Sequence, residues 1–358
     1  MRTDPALPIV ALDISPLAER FHTGIANVTK HLARQMLDDD TVDGRFLFNR
    51  GEIARDLVEP ILAMDGGEIL WWLASRTFDA TAPAPDPDRI AIGIYSNHKW
   101  HRRLYPTEVQ IVHDITTLVT PWFHDDQNIS TWQSRLLADM LSSDLIVAVS
   151  ESTRADILTY YPQLAPIPCV VASLATTIDA PQALADLDAV ERYVLVLGTL
   201  EPRKNLKVVF ELLGENKDLL DGTRFIFAGR RGWALDTEAL IRSHGLDDAV
   251  RDGRIVFTGF VSDAARDELM RHARCVLYIS HYEGFGLPVL EALSVGAPVI
   301  TGIGSSLPEA GGDRAVYCDV GSAASVAAAL RGVLGSPASV GARERRSRQD
   351  WAARFHWS

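Results

Sequence analysis

The sequence predicts an α/β protein made of two doubly wound parallel sheets. Three observations carry that prediction. Short apolar runs recur through both halves, and most are continuous rather than alternating, as in strands buried on both faces of a parallel sheet. Helix-like segments separate the runs. The series is interrupted once, by the polar stretch TTIDAPQALADLDAVER (176–192), and then begins again.

In the first half the strand-like runs are IVAL (9–12), FLF (46–48), ILWWLA (69–74), IAIGIY (90–95), VQIV (109–112), LIVAV (145–149) and CVVAS (169–173). Helices are expected over 24–37, 128–143 and 151–160, and APAPDPD (82–88) reads as a proline-punctuated loop. The second half offers YVLVLG (193–198), FIFAG (225–229), IVFTG (255–259), CVLYIS (275–280), PVITG (298–302) and AVYCD (315–319). Its helices are expected over 205–219, 262–273, 287–296 and 323–334. The domains expected are therefore 1–184 and 185–340, followed by a basic tail, 341–358.

Length and composition narrow the function. A chain of 358 residues suits two domains at about 150 residues each. With 47% hydrophobic and 23% charged residues it is an ordinary globular chain, neither disordered nor collagen-like. The net charge of −12 argues against a dedicated nucleic-acid binder, which needs a basic footprint, but leaves room for a local seat for one phosphorylated ligand. Cys169, Cys275 and Cys318 each fall in an apolar run and read as core residues. The opening MRTDPALPIVALD has no signal-like apolar run, and the longest apolar stretches fall short of the ~20 residues that span a bilayer, so a cytoplasmic protein is expected.

Chemistry concentrates in SHYEGFGLPVLEALSVGAPVITG (280–302). A strand runs into the turn Glu283-Gly284-Phe285-Gly286, and a helix opens with Pro288 near its first position. The two glycines allow close backbone approach to a ligand, and a helix N-terminus offers free N–H groups to an anion. Glu283 and Glu291 could accept hydrogen bonds from sugar or ribose hydroxyls; alternatively, Glu291 merely complements the helix dipole. Val289 stands where a dinucleotide fingerprint has its third glycine. In GTLEPRKN (198–205), Arg203 and Lys204 precede a helix start, where cations are mildly unfavourable unless they hold an anion such as a diphosphate. His113 and Asp114 end the strand VQIV, at an edge where open sheets bind ligands.

The spacing Glu283–x7–Glu291 within EGFGLPVLE resembles the signature of the retaining GT-B glycosyltransferases of family four, which use nucleotide-activated sugars. GTLEPRKN is similar to that family's phosphate segment, VFTGFVSD (256–263) to its nucleobase loop, and TGIGSSLPEAGGDRAVYCD (301–319) to its closing segment. HTGIANVTKHL (22–32) and VHDITTL (112–118) resemble its glycine loop and its His-Asp motif. The resemblance implies two Rossmann-like domains facing a central cleft and a catalytic set of Glu283, His113, Lys204 and Arg203. It implies a donor site of Gly24, Thr199, Arg203, Lys204, Val261, Glu283, Gly284, Phe285, Gly286, Leu287 and Glu291. Thr199 departs from the family, many of whose members carry an arginine there. In relatives a further helix follows a similar Phe-x-Trp-Ser, whereas the sequence here closes at Ser358.

No catalytic metal and no cofactor are expected. The Asp-x-Asp pairs Asp38–Asp40, Asp86–Asp88 and Asp186–Asp188 do not close an apolar strand, and no His or Cys cluster has zinc spacing. The implied activity moves a hexose, with GDP-mannose as the guessed donor, to a glycan or lipid-linked saccharide in surface polysaccharide synthesis. The basic-aromatic stretches HKWHRRLY (98–105) and RERRSRQDWAARFHW (343–357) suggest peripheral contact with an anionic membrane surface. Three other readings stay open: a GT-B nucleotide-sugar 2-epimerase, a non-catalytic nucleotide-sugar-binding subunit, and a nicotinamide oxidoreductase.

Overall fold

A computed structural model describes the chain except for residues 1–6, 20–23, 49–50, 65, 70–88, 100, 102, 177, 179–192, 233, 337–340 and 358. It divides into two compact units, Met1–Leu174 with Trp357–Ser358, and Ala175–His356. The expected boundary near 185 and the loop 82–88 lie outside the described residues. So does most of the strand expected over 69–74; its one described residue, Ile69, is buried and lies in a helical turn instead.

The first unit runs β1 (Ile9–Asp13), α1 (Gly24–Asp38), β2 (Asp43–Phe48), β3 (Gly51–Ile53), α2 (Arg55–Ala63), β4 (Ile92–Tyr95) and β5 (Thr107–Val112). It continues with α3 (Asp126–Leu141), β6 (Leu145–Ala148), α4 (Glu151–Tyr160) and β7 (Cys169–Val171). The strand order is β3-β2-β1-β4-β5-β6-β7, parallel except for the β2–β3 pair. The short edge strand β3 has no apolar run to announce it, since in Gly-Glu-Ile only Ile53 enters the core.

The second unit runs β8 (Tyr193–Leu197), α5 (Leu206–Glu215), β9 (Arg224–Ala228), β10 (Ile255–Gly259), α6 (Asp263–His272) and β11 (Cys275–Tyr278). Then come α7 (Leu287–Ser294), β12 (Val299–Thr301), β13 (Val316–Tyr317), α8 (Ala323–Leu334) and α9 (Ala342–Ala352). Its strands pair in parallel throughout, in the order β10-β9-β8-β11-β12-β13. Every residue of β8 is buried, which is why its sequence reads as an unbroken apolar run. Phe210 of α5, Phe227 of β9 and Phe257 of β10 stack in series, with centroids 5.4 and 4.9 Å apart. Strand order reverses between β8 and β11, so the loops leaving their carboxyl ends border a crevice suited to ligands.

Each basic-aromatic stretch sends some of its charged side chains into the core and leaves others exposed. The side chains of Lys99 and Glu108 are wholly buried, with Nζ 2.6 Å from Oε2, and Lys99 also donates to Ser143 Oγ at 3.0 Å. His101 Nε2 lies 2.6 Å from the Tyr95 hydroxyl. Arg103 points outward, to Asp144. The expected tail forms α9 within the second unit. Arg348 Nε donates to Gly296 O at 2.9 Å and Arg345 reaches Val295 O, so both arginines serve the carbonyl end of α7. Trp357 belongs to the first unit, where it stacks on His31 of α1.

The buried pair generates a test. Lys99→Met strands the Glu108 charge, and should lower the unfolding free energy by about 3–5 kcal/mol. A urea midpoint showing a change within about 0.5 kcal/mol, as for an exposed lysine, would remove the pair from the core.

Candidate functional site

The loop 198–205 leaves the end of β8 in a conformation its sequence dictates. Gly198 takes φ +117°, where a Cβ would press on the Lys204 side chain at 3.2 Å. Gly229, at the end of β9, passes so close that a Cβ there would fall on the Gly198 carbonyl oxygen. Pro202 opens a 3-10 turn, Pro202–Lys204, and Asn205 closes it in the left-handed region at φ 60°. The Asn205 side chain donates to Val320 O at 2.6 Å, fixing the turn. Arg203 and Lys204 are thereby turned toward the end of β11.

There they meet Glu283. Lys204 Nζ lies 2.6 Å from Oε1 and Arg203 Nη1 lies 2.8 Å from Oε2, so one carboxylate is shared between two cations. The Tyr278 hydroxyl accepts from Lys204 Nζ at 2.7 Å and donates to Glu283 Oε1 at 2.8 Å. Arg203 Nη2 pairs with Glu201 Oε1 at 3.0 Å, and Nη1 donates to Tyr282 O. The backbone of Glu283 is clamped as well: its N–H donates to Ser305 Oγ and its carbonyl accepts from Ser306 Oγ, both at 2.9 Å.

Burial alone would raise the Glu283 pKa, but Arg203 and Lys204 outweigh it and hold the carboxyl at about 2. Burial, reinforced by the Glu283 charge, pushes the Tyr278 hydroxyl well above the usual tyrosine range. The carboxylate is thus ionised and the phenol protonated at neutral pH. Three largely buried charged side chains are held together at the strand-order reversal, an arrangement suited to an anionic ligand.

The turn 283–286 leads into α7. Gly286, at φ +94°, is its N-cap; Leu287 and Pro288 are its first residues. Gly284 is buried, and Phe285 packs inward edge-to-face on Phe355, centroids 5.9 Å apart. Glu291 lies apart from the Glu283 cluster in its partners: it is buried on α7, with Oε1 3.8 Å from Arg266 of α6. Arg266 also pairs with Asp263 and Asp267. Thr199 and Val261 are half-buried in the loops after β8 and β10.

Two expected residues belong to the first unit. Gly24 opens α1 and is exposed, with open space around it. His113 follows β5 and its Nε2 donates to Ser96 O at 3.0 Å, while burial lowers its pKa and favours the neutral ring. Asp114 accepts from the backbone N–H and hydroxyl of Thr116, two residues on, just before a short helical turn. Among the described residues, no group of three or more His, Cys, Asp or Glu could hold a metal ion.

Sequence reasoning missed Tyr278, Glu201, Ser305, Ser306 and Arg266. Glu201 stood inside the quoted GTLEPRKN, and Tyr278 is the last residue of the strand in CVLYIS, at the ligand-facing edge. Ser305 and Ser306 stood inside the quoted TGIGSSLPEAGGDRAVYCD, whereas Arg266 gave no local signal, since only folding brings it to Glu291.

Residues 185–354 match the family Glycosyl transferases group 1, and the second unit therefore carries a domain of that family. The chain is similar to O-antigen chain mannosyltransferase B of Escherichia coli, 34% identical over 59% of this chain and 57% of that protein. It is similar to the glycogen synthase of Mycobacterium tuberculosis, at 32% over 46% of this chain and 39% of that one. A third relative is the GDP-mannose:cellobiosyl-diphosphopolyprenol alpha-mannosyltransferase of Komagataeibacter xylinus, at 33% over 31% of this chain and 28% of that one. The chain thus spans at most a little over half the length of these curated relatives. Among solved structures, the sucrose-phosphate synthase of Thermosynechococcus elongatus superposes with a TM-score of 0.67 at 16% identity, covering 98% of this chain and 95% of that one. That likeness shows the fold, which is of the expected GT-B class.

Because the Glu283 pKa lies below its unfolded value, its pairs stabilise the folded chain above pH 4.5, and that contribution is lost as pH falls towards about 2. Glu283→Gln should flatten the slope of unfolding free energy against pH between 4.5 and 3, by up to about 1.4 kcal/mol per pH unit. Identical slopes in wild type and variant would show that the carboxylate is not so held.

Proposed function

We propose that this chain, with its group 1 glycosyl transferase domain over residues 185–354, is a metal-independent, retaining glycosyltransferase. Its donor is a nucleoside-diphosphate sugar, most simply GDP-mannose, and its acceptor a glycan or lipid-linked saccharide of a surface polysaccharide. The observation that carries this reading is the convergence of Arg203, Lys204 and Glu283 between the loops after β8 and β11. The names of the two mannosyltransferase relatives support mannose, and that of the second supports a polyprenol-linked acceptor. The glycogen synthase relative keeps glucose donors in the test.

In this reading Arg203 and Lys204 take the diphosphate and stabilise the negative charge that grows on it as the glycosidic bond breaks. Arginine offers two parallel N–H donors to phosphate oxygens, and lysine a point charge. Glu283, relieved of its cations, accepts hydrogen bonds from the sugar hydroxyls. Glu291 has the corresponding role for the ribose, with Arg266 holding its carboxylate in place. Amides of the turn 284–287, with the side chain of Thr199, line the diphosphate and sugar, and Val261 the base. Phe285 acts by packing. The acceptor attacks from the face the diphosphate leaves, and a donor phosphate oxygen takes its proton. An acceptor carried on lipid would bring the protein to a membrane surface. Among the described residues no helix is long and apolar enough to cross a membrane, which is compatible with peripheral contact there.

Titration calorimetry with GDP-mannose, UDP-glucose and ADP-glucose, on wild type and on Lys204→Ala, tests the reading. One donor should bind in the micromolar range, and removing the lysine charge should weaken it at least about tenfold. Equal binding by the alanine variant would overturn the diphosphate seat. Donor binding without transfer to any lipid-linked or glycan acceptor would favour a binding subunit, and inversion at the sugar's C2 an epimerase.

A further inference from the structure

We propose that Tyr278 is the positioning residue of the diphosphate seat: its hydroxyl holds the Lys204 ammonium at the end of β11 while a bound diphosphate competes for the other partners of that ammonium. The inference rests on the donor reading above and goes beyond it, because it assigns a residue outside every expected motif role.

Four groups face Lys204. Glu201 and Arg203 come from its own loop, Glu283 from the following loop and Tyr278 from the strand itself. Arg203 repels the ammonium, and Glu201 is engaged by Arg203. Glu283 is the strong partner, yet a diphosphate arriving between the cations draws both away from that carboxylate. The Tyr278 hydroxyl is neutral and is not displaced by an anion. It sits on the rigid sheet, with Oη 2.7 Å from Nζ, and the ammonium also lies over its ring, 4.8 Å from the centroid. Thr301 donates to the Tyr278 carbonyl at 2.7 Å and Tyr278 is 3% exposed, so the residue cannot swing away. Its hydroxyl is held protonated by burial and by Glu283, so it keeps donating to Glu283 while accepting from Lys204.

The test is Tyr278→Phe, which keeps the ring and deletes the hydroxyl. Tyr193→Phe is the matched control: it removes another buried tyrosine hydroxyl of the same sheet, one that donates to Leu269 O at 2.7 Å. GDP is titrated against wild type and both variants from pH 7 to 10, and circular dichroism checks that each is folded. Tyr278→Phe should weaken GDP about tenfold at pH 7, the size expected for one charge-assisted hydrogen bond. It should also move the alkaline limb of binding to lower pH, because the buried ammonium loses an acceptor. The control should leave affinity and limb unchanged. A folded Tyr278→Phe with wild-type affinity and an unmoved limb would overturn the proposal and leave the donor reading standing. If wild type binds none of GDP, UDP and ADP, the donor reading fails and this proposal falls with it.

Discussion

Sharing one buried carboxylate between two cations is the constraint around which the second unit is arranged. Glu283 holds Arg203 and Lys204 together although the cations repel each other, and each pair is hydrogen-bonded as well as charged. The backbone strain nearby serves that contact. Asn205 in the left-handed region closes the turn that presents the cations. Gly229 has no Cβ because its backbone passes against the Gly198 carbonyl, and Gly198, at φ +117°, leaves room for the Lys204 side chain. Ser305, itself at φ 53°, and Ser306 fasten the main chain of Glu283 from the loop after β12. A carboxylate fixed at both ends cannot relax to meet its partners, so the cations come to it.

The helix that begins beside this cluster is held at its far end by residues 50 and 52 positions later. The carbonyls at the end of α7 receive Arg345 and Arg348, and Trp351 donates to Ala310 O at 2.9 Å. Phe355 then packs on Phe285 within the glycine turn. The C-terminal helix therefore braces both the carbonyl end of α7 and the turn that precedes it. A run such as RERRSRQ looks solvated because charge runs commonly are. Here the carbonyl end of a buried helix supplies the acceptors that make two of those arginines core residues.

The same logic decides what could be read in advance. Parallel strands buried on both faces leave continuous apolar runs, so nearly every described strand and the long helices were legible as segments. Glycine, proline and asparagine mark special backbone geometry, so the turns 198–205 and 283–286 were legible too. Partnership was not. Nothing local in HKWHRRLY tells that Lys99 faces Glu108, because the pair joins the stretch after β4 to the first turn of β5 and to Ser143 beyond α3. Tyr278 gave a strand signal like any other aromatic, and its hydroxyl gains meaning only when Lys204 arrives from another loop. The spacing Glu283–x7–Glu291 was seen, yet it conceals a division of labour: one carboxylate joins the β8 loop, the other joins α6.

The charge balance of the cluster bears on what it can select. Glu201 and Glu283 offset Arg203 and Lys204, so the seat is formally neutral before any ligand arrives. A bare phosphate that captured the cations would strand Glu283 in a buried space, at a cost comparable to breaking a buried pair. On the function proposed above, a nucleoside-diphosphate sugar brings its own remedy: its phosphates take the cations and its hydroxyls satisfy the released carboxylate. Selectivity for the intact donor over phosphate then arises without any contact that recognises the donor as a whole. The single carboxylate favours it, because binding is tightest when anion and sugar hydroxyls arrive on the same molecule and weaker for a nucleoside diphosphate alone.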